Sequence, residues 1–345
     1  MRIIEGGYLA DVLDQPRALQ DTERGLDSPP LLESLAARLA DGELDQVVLT
    51  GMGSSFHVLH PLHLDLIGRG LASIMVETSE LLFHMSRLLR PRTLLVVVSQ
   101  SGASVEVVRL LAGIPKGVDV IGVSNTAHSP LAIQASVTLV TRAGNESTVS
   151  SKTYLAALMA LSWLSGILCG SDRQTVRKEL QQAAPAVSLY LRDWRRHVES
   201  LAVALEGVRS LFLVGRGASL AAAGVGGLII KESAHFPAEG MSSAAFRHGP
   251  FEMLSAKTFV AVFVGDATTA ALNQRLCADI IGAGGRAAVI GAGESNGAWG
   301  LPRAPERIRP TLEMLPVEMM SFALAALDGR EAGRFERVSK ITTVE

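Results

Sequence analysis

The sequence predicts an α/β protein with a parallel sheet in each half, every sheet flanked by helices. Three observations carry this. Short continuous apolar runs alternate with helical stretches, the pattern of strands covered on both faces. The length, 345 residues, suits two domains of about 150 residues each. The landmarks of the first half also recur in order in the second. Gly51-Met52-Gly53-Ser54-Ser55 is answered by Gly215-Arg216-Gly217-Ala218-Ser219 at an offset of 164, and Val96–Val98 by Val260–Val262 at the same offset. Val120-Ile121-Gly122 is answered by Val289-Ile290-Gly291 at an offset of 169.

Residues 1–30 read as a mixed arm that ends at Pro29-Pro30. Residues 31–173 form the first domain, opening with a short helix over 31–40. Its strands are expected at 46–50, 72–77, 93–99, 118–123 and 137–141, of which 93–99 (TLLVVVS) is the clearest: β-branched, uncharged and stopped by Gly102. A helix is expected over 105–111. Residues 153–171 carry no charge for 19 positions, long enough to span a bilayer. They include Ser162, Ser165 and Gly166 and sit inside a strand–helix alternation, so they read as a buried helix. Residues 174–207 are dense in Arg, Glu and Gln with helically spaced apolar positions, and read as two linking helices. The second domain covers 208–330, with strands at 210–214, 259–264 and 287–290. A tail, 331–345, follows.

Composition narrows the function. Apolar residues are 48% and charged residues 19%, enough to bury a large core and incompatible with disorder. A net charge of −2 without a clustered basic face argues against nucleic acid as a partner. Cys169 and Cys277 alone build neither a disulfide framework nor a cysteine metal cage. No apolar stretch of signal-peptide type follows Arg2, so the expected compartment is a reducing cytoplasm, with no membrane partner. His57, His60 and His63 repeat every three residues and would fan around a helix. Without an H-E-x-x-H pattern, no metal is expected.

The segment SQSGAS, residues 99–104, lies between a buried strand and a helix. Helix N-termini present unpaired N–H groups and partial positive charge. Ser99, Ser101 and Ser104 add hydroxyls and Gly102 permits close backbone approach, which together make an anion site suited to a phosphate ester. The same serines also fit an ordinary N-cap on a surface turn. The second half has Phe263-Val264-Gly265-Asp266 at this place, having lost the hydroxyls and gained a carboxylate. Residues 51–55 make a second glycine-rich turn, with Phe56 where a dinucleotide fingerprint needs its third glycine. Ser55 there offers either a further ligand hydroxyl or an N-cap. Glu232 follows a long uncharged helical run. At the edge of a buried region its pKa would rise and suit it to moving a proton; at a solvated helix end it would do nothing. His248 lies in Arg247-His248-Gly249-Pro250, a turn that fixes an imidazole. Lys340 sits in a polar tail of the kind that usually frays.

These motifs resemble the tandem sugar isomerase (SIS) domain family, above all the isomerase half of glucosamine-6-phosphate synthases and related phosphosugar deaminases. The resemblance covers residues 45–345. It rests on GMGSS (51–55), SQSG (99–102), AGNESTVSSK (143–152), KES with RHGP (231–250) and the terminal TVE (343–345). It implies two flavodoxin-like SIS domains, with Ser55, Ser99, Gln100, Ser101 and Ser104 holding a sugar phosphate and Val149 and Ser151 lining the sugar. It further implies that Glu232 moves a proton between C1 and C2, that His248 assists ring opening, often from a neighbouring subunit, and that Lys340 lies over the sugar and can form a Schiff base.

Three positions depart from the family pattern. No glutaminase domain precedes the isomerase region, so ammonia from glutamine is not expected in cis. Ile229 stands where the synthase carries a lysine three residues before the glutamate, which argues against the full amination cycle. Ala103 replaces the usual acidic residue after SQSG. The expected function is therefore an aldose–ketose isomerase or deaminase acting on an amino-sugar 6-phosphate or an Amadori-type sugar phosphate, needing no cofactor and working as a homodimer. The apolar stretch from Tyr154 also motivates the dimer. The alternative is a non-catalytic phosphosugar-binding sensor. A DNA-binding regulator would need a helix-turn-helix module, for which the 30 residues ahead of the first fold leave little room.

Overall fold

The computed structural model describes residues 2–292 and 297–337. The first half supplies β1 (Gln46–Gly51), β2 (Ser73–Glu77), β3 (Thr93–Val98), β4 (Asp119–Ser124) and β5 (Val137–Val140). The second supplies β6 (Ser210–Gly215), β7 (Ala238–Ser242), β8 (Thr258–Phe263), β9 (Arg286–Ala292) and β10 (Gly300–Leu301). All pairings are parallel. The orders are β2-β1-β3-β4-β5 and β10-β9-β8-β6-β7, so each sheet visits its strands in the same sequence relative to the chain. The repeat read from the landmarks is thus a repeat of topology.

The central strands are apolar because both faces are covered. Every residue of β1, β3 and β8 is buried. In the first sheet Val48, Leu95 and Val97 pack with Leu81, Val107, Leu110 and Leu131. In the second, Phe212, Val260 and Val262 pack with Phe246, Leu276 and Ile280. At about 25 cal/mol per Å² of apolar surface removed from water, such layers are the main stabilising term of each sheet.

The chain divides into two compact units, and it crosses between them more than once. One comprises residues 17–145 and 152–181 and holds the first sheet. The other comprises residues 2–16, 146–151 and 182–337 and holds the second. The stretch read as a mixed arm holds two helices, Gly7–Leu13 and Gln15–Gly25. The linking region is three helices rather than two: Arg173–Leu180, Ala183–Leu191 and Trp194–Leu205. Pro185 explains the extra break. It has no N–H to continue a helix from Gln181, so it sits in the first turn of a new one.

Two edge strands escaped the sequence reading. β10 is only two residues long, and β7 (AEGMS) has a single fully buried side chain, Ala238. Neither shows an apolar run, because an edge strand is covered less. The helix Lys152–Leu168 is buried as expected, with Tyr154 2% and Trp163 4% exposed. That corrects the reason given for a dimer: this helix has no apolar face left to offer a partner. The helical stretch Glu306–Leu327 is also long and apolar enough to cross a membrane, but 94% of its apolar window is buried in the folded chain. Its α-helix, Arg309–Leu327, contains Pro316 and two carboxyls, Glu313 and Glu318, and packs as a core helix of the second unit.

Candidate active site

In the first unit the candidate phosphate residues gather where the topology predicts a ligand. β2 and β3 lie on opposite sides of β1, so the chain reverses direction across the sheet between β1 and β3. Ligands of open parallel sheets bind in the crevice beyond the strand C-termini at such a point. The loop after β1 carries Ser55, half-buried in the short helix Ser54–His57. The loop after β3 carries Ser99, Gln100, Ser101 and Ser104 and leads into the helix Val105–Ala112.

The second loop is held by its own backbone. Ser99 N–H donates to the Val123 carbonyl at 3.0 Å, and Asn125 N–H to the Gln100 carbonyl at 3.0 Å. Gly102 N–H donates to Ser99 Oγ at 3.1 Å, and Ala103 N–H to Ser101 Oγ at 3.2 Å. Gly102 has φ +61°, and a Cβ there would fall 2.1 Å from Ser129 Oγ. Glycine is required on both counts. Ser104 is the N-cap residue, yet its side chain accepts no capping bond, which leaves its hydroxyl for another use. Glu106 in the first helical turn was not weighed from the sequence; it is buried, with one carboxyl oxygen lacking a hydrogen-bond partner among the described residues.

Upstream of this loop, His60 is pushed down to about 4 by burial and by its neighbours His57 and His63. His63 Nδ1 lies 2.9 Å from Ser73 Oγ.

In the second unit, Glu232 lies in the last turn of the helix Leu220–Ala234. Its carboxyl is raised to about 7, chiefly by burial and further by the nearby charge of Glu146, with Lys231 opposing. Glu232 lines a cavity of about 620 Å³ together with Lys231 and His235. Glu146 belongs to the same unit through the segment 146–151. It accepts the Ser151 N–H at 2.9 Å and the Ser151 hydroxyl at 3.3 Å. Val149 and Ser151 are both fully buried, so Ser151 is occupied in orienting Glu146.

Sequence reasoning assigned nothing to Glu146, although an acid inside the polar run AGNESTVSSK was a usable signal. It also missed Tyr8, Gln15 and Glu318. Gln15 Nε2 donates to Glu318 Oε1 at 2.5 Å, and Ser321 Oγ donates to Tyr8 at 3.3 Å. Burial and Glu146 push Glu318 up to about 8. The Tyr8 hydroxyl is raised well above its ordinary value by burial, then by Glu318, with Glu232 and Glu146 adding to it. Two carboxyls in the apolar run of the Arg309–Leu327 helix were the legible trace of this cluster.

His248 is exposed on the turn beyond the helix Ser243–Phe246 and is not among the residues lining the Glu232 cavity. Lys340 and the terminal TVE lie outside the described residues.

Residues 43–164 match the family model described as the SIS domain. The chain carries a SIS domain. All five strands of the first sheet, with Ser55 and the 99–104 loop, fall inside it. The chain is 30% identical, over 99% of its own length, to the isomerising glutamine–fructose-6-phosphate aminotransferase of Pyrococcus horikoshii, and spans 59% of that relative's length. Its fold matches the C-terminal domain of the glucosamine–fructose-6-phosphate aminotransferase of Francisella tularensis, with a TM-score of 0.83 at 18% identity, covering 94% of this chain and 97% of that one. It also matches the glucosamine-6-phosphate deaminase of Thermotoga maritima, with a TM-score of 0.79 at 18% identity, covering 98% of this chain and all of that one.

Proposed function

We propose that this protein is a phosphosugar aldose–ketose isomerase or deaminase built from two tandem SIS domains, acting on an amino-sugar 6-phosphate or an Amadori-type sugar phosphate. The observation that carries the reading is Glu232: a carboxyl at a cavity wall, raised to about 7 by burial and by Glu146. A group that changes protonation near neutrality suits general acid–base transfer at carbon. Its lone competitor in charge, Lys231, is a neighbour that keeps the carboxylate form accessible.

The roles follow the family resemblance, residue by residue. Ser99, Ser101 and Ser104, with Ser55 and Gln100, hold the phosphate against the N-terminus of Val105–Ala112. Glu232 takes a proton from one of C1 and C2 and returns it to the other, through an enediol. Glu146 keeps that base from being too weakly basic, and Ser151 holds Glu146 in place. His248, exposed and therefore reachable from outside its own unit, assists ring opening. By the same resemblance Lys340, outside the described residues, supplies the amine for a Schiff base with the ketose. The expected homodimer rests on the resemblance alone, now that the Lys152–Leu168 helix is accounted for by its own core.

A sensor of the same fold has one observation on its side. Ile229, at the position of the synthase lysine, is fully buried and packs as core. Steady-state turnover of glucosamine 6-phosphate, measured as fructose 6-phosphate and ammonia formed together, tests the choice. Turnover supports the enzyme; saturable binding without product supports the sensor.

A further inference from the structure

The second sheet has a switch point of its own. β7 and β8 lie on opposite sides of β6, so the loops after β6 and β8 flank the kind of crevice in which open parallel sheets bind ligands. Each loop leaves a gap at a glycine. Gly217, φ +59°, is on the first, and a Cβ there would fall 3.2 Å from Asp266 Oδ2 of the second. Gly265, φ +73°, is on the second, and a Cβ there would fall 3.3 Å from Thr269 Oγ1, 3.5 Å from Ser219 Oγ and 3.6 Å from Asn273 Nδ2. Hydroxyl, amide and carboxyl groups from the two loops thus gather around one small space.

Two of these side chains are buried with an oxygen to spare. Asn273, fully buried in the first turn of the helix Ala270–Gly282, gives its Nδ2 to the Val264 carbonyl at 3.0 Å, and its Oδ1 meets no donor among the described residues. Glu313, also fully buried, accepts from Ser219 through Oε1 at 2.7 Å, and its Oε2 meets no donor either. A buried oxygen without a donor is costly, more so on a carboxyl. The spare atoms and their neighbours Asp266 Oδ2, Thr269 Oγ1 and Ser219 Oγ are all oxygens, the donor set of a hard cation. Among the described residues no three His, Cys, Asp or Glu side chains gather to hold a metal ion, and only two carboxyls meet here. The charges that act on Glu313 are Arg309 and Asp266, and they oppose each other. With Glu313 ionised, two carboxylates face one guanidinium, and a single positive charge completes the balance.

We propose that the loops after β6 and β8 bind a monovalent alkali cation through oxygens of Ser219, Asp266, Thr269, Asn273 and Glu313. Fixed protein oxygens replace part of the ion's hydration shell, as they do in potassium-selective sites. The ion gives Asn273 and Glu313 the positive partner that the described residues do not supply, and it ties one loop to the other. The site lies wholly within the second unit and depends neither on Glu232 nor on any sugar phosphate.

Thermal melts of the full chain test it at constant ionic strength, with KCl or NaCl replacing tetramethylammonium chloride, whose cation is too large for the space. A pH of 8 keeps Glu313 ionised, since its carboxyl titrates at about 7. The melting temperature is expected to rise saturably with KCl or NaCl, by about 3 °C at about ten times the dissociation constant. Glu313→Gln keeps an acceptor for Ser219 and removes the charge, and Asp266→Asn does the same at a half-buried position. Each is expected to abolish the rise. A merely structural cluster would give the same melting temperature in every salt and the same loss in each variant, which overturns the proposal. A rise with MgCl2 or CaCl2 and none with KCl or NaCl overturns it too. Should a variant fail to fold, thallous ion, a heavy ion of the same charge, decides on the unmutated chain. Its anomalous scattering in crystals is expected beside Asn273 Oδ1 and Glu313 Oε2, and its absence there refutes the site.

Discussion

The loops at the two switch points have the same topology and opposite chemistry. Beyond β1 and β3, the hydroxyls of Ser99 and Ser101 accept only from neighbouring backbone N–H groups, and the N-cap hydroxyl of Ser104 accepts no capping bond. Beyond β6 and β8, the polar groups are already matched to internal acids. Ser219 Oγ donates to the buried Glu313 at 2.7 Å, and Asp266 accepts from Thr269 N–H at 3.1 Å. The second loop therefore ties its hydroxyls to acids of its own unit, where those of the first meet only backbone donors among the described residues. Glu313 is raised to about 7, mainly by burial and despite its bond to Ser219. One repeated topology thus carries the loop proposed to bind phosphate in one copy and a structural polar knot in the other. Specialisation came from a few loop side chains, while the strand order stayed the same.

The largest test of this division removes the chemistry and leaves the anchor. Glu232→Gln keeps shape and hydrogen-bonding capacity but not basicity. Turnover of glucosamine 6-phosphate is expected to fall at least ~10²-fold, while its dissociation constant changes little, since the phosphate loop is in the other unit. In the unmutated protein kcat/KM is expected to fall as pH drops through about 7, because the base must be deprotonated and its carboxyl titrates there. A pH–rate profile flat from 6 to 8 would remove Glu232 from that role.

The next test applies the same change to both loops. Ser101→Ala is expected to weaken sugar-phosphate binding by about 1–2 kcal/mol, as for one lost bond to a charged group. Ser219→Ala is expected to leave that affinity alone and to lower stability by about 1 kcal/mol, because Glu313 stays buried without its donor. Calorimetry and denaturant melts on both variants separate the outcomes; equal losses of affinity would mean that the loops are functionally alike.

The smallest effect concerns stability against pH. Glu313 and Glu318 titrate near 7 and 8 in the folded chain, above their ordinary value of 4.5. Below about pH 4.5 both states hold the protons and nothing changes. From there up to about 8 the native state binds protons that the unfolded state has released, so stability declines as pH rises. The melting temperature is expected to be lower at pH 8 than at pH 6, and Glu318→Gln is expected to flatten the difference. An unchanged slope in that variant would place the titration elsewhere.

How much of this was legible follows from how local each cause is. The strand 93–98, its loop and the helix after it could be read directly: β-branched apolar residues suit a strand covered on both faces, and Gly102 suits a positive φ and a close contact. The repeat could be read for the same reason, since each copy writes its strands and glycine turns in order. The edge strands β7 and β10 could not, because a strand covered on few sides needs no apolar run. The three-helix linking region hid behind one proline.

The sequence by itself determined the fold class, the doubled α/β plan and the residue types of the proposed phosphate loop, because dihedral preference, apolar period and helix-terminal N–H groups act within a few residues. Only the tertiary structure decided what Glu232 is. Its basicity depends on burial and on Glu146, which comes from a segment 86 positions earlier in the chain. The same holds for Tyr8 and Gln15 gathering around Glu318, and for the contact of Arg330 with His235. Desolvation and charge proximity are properties of what packs around a group, and no window of sequence contains them.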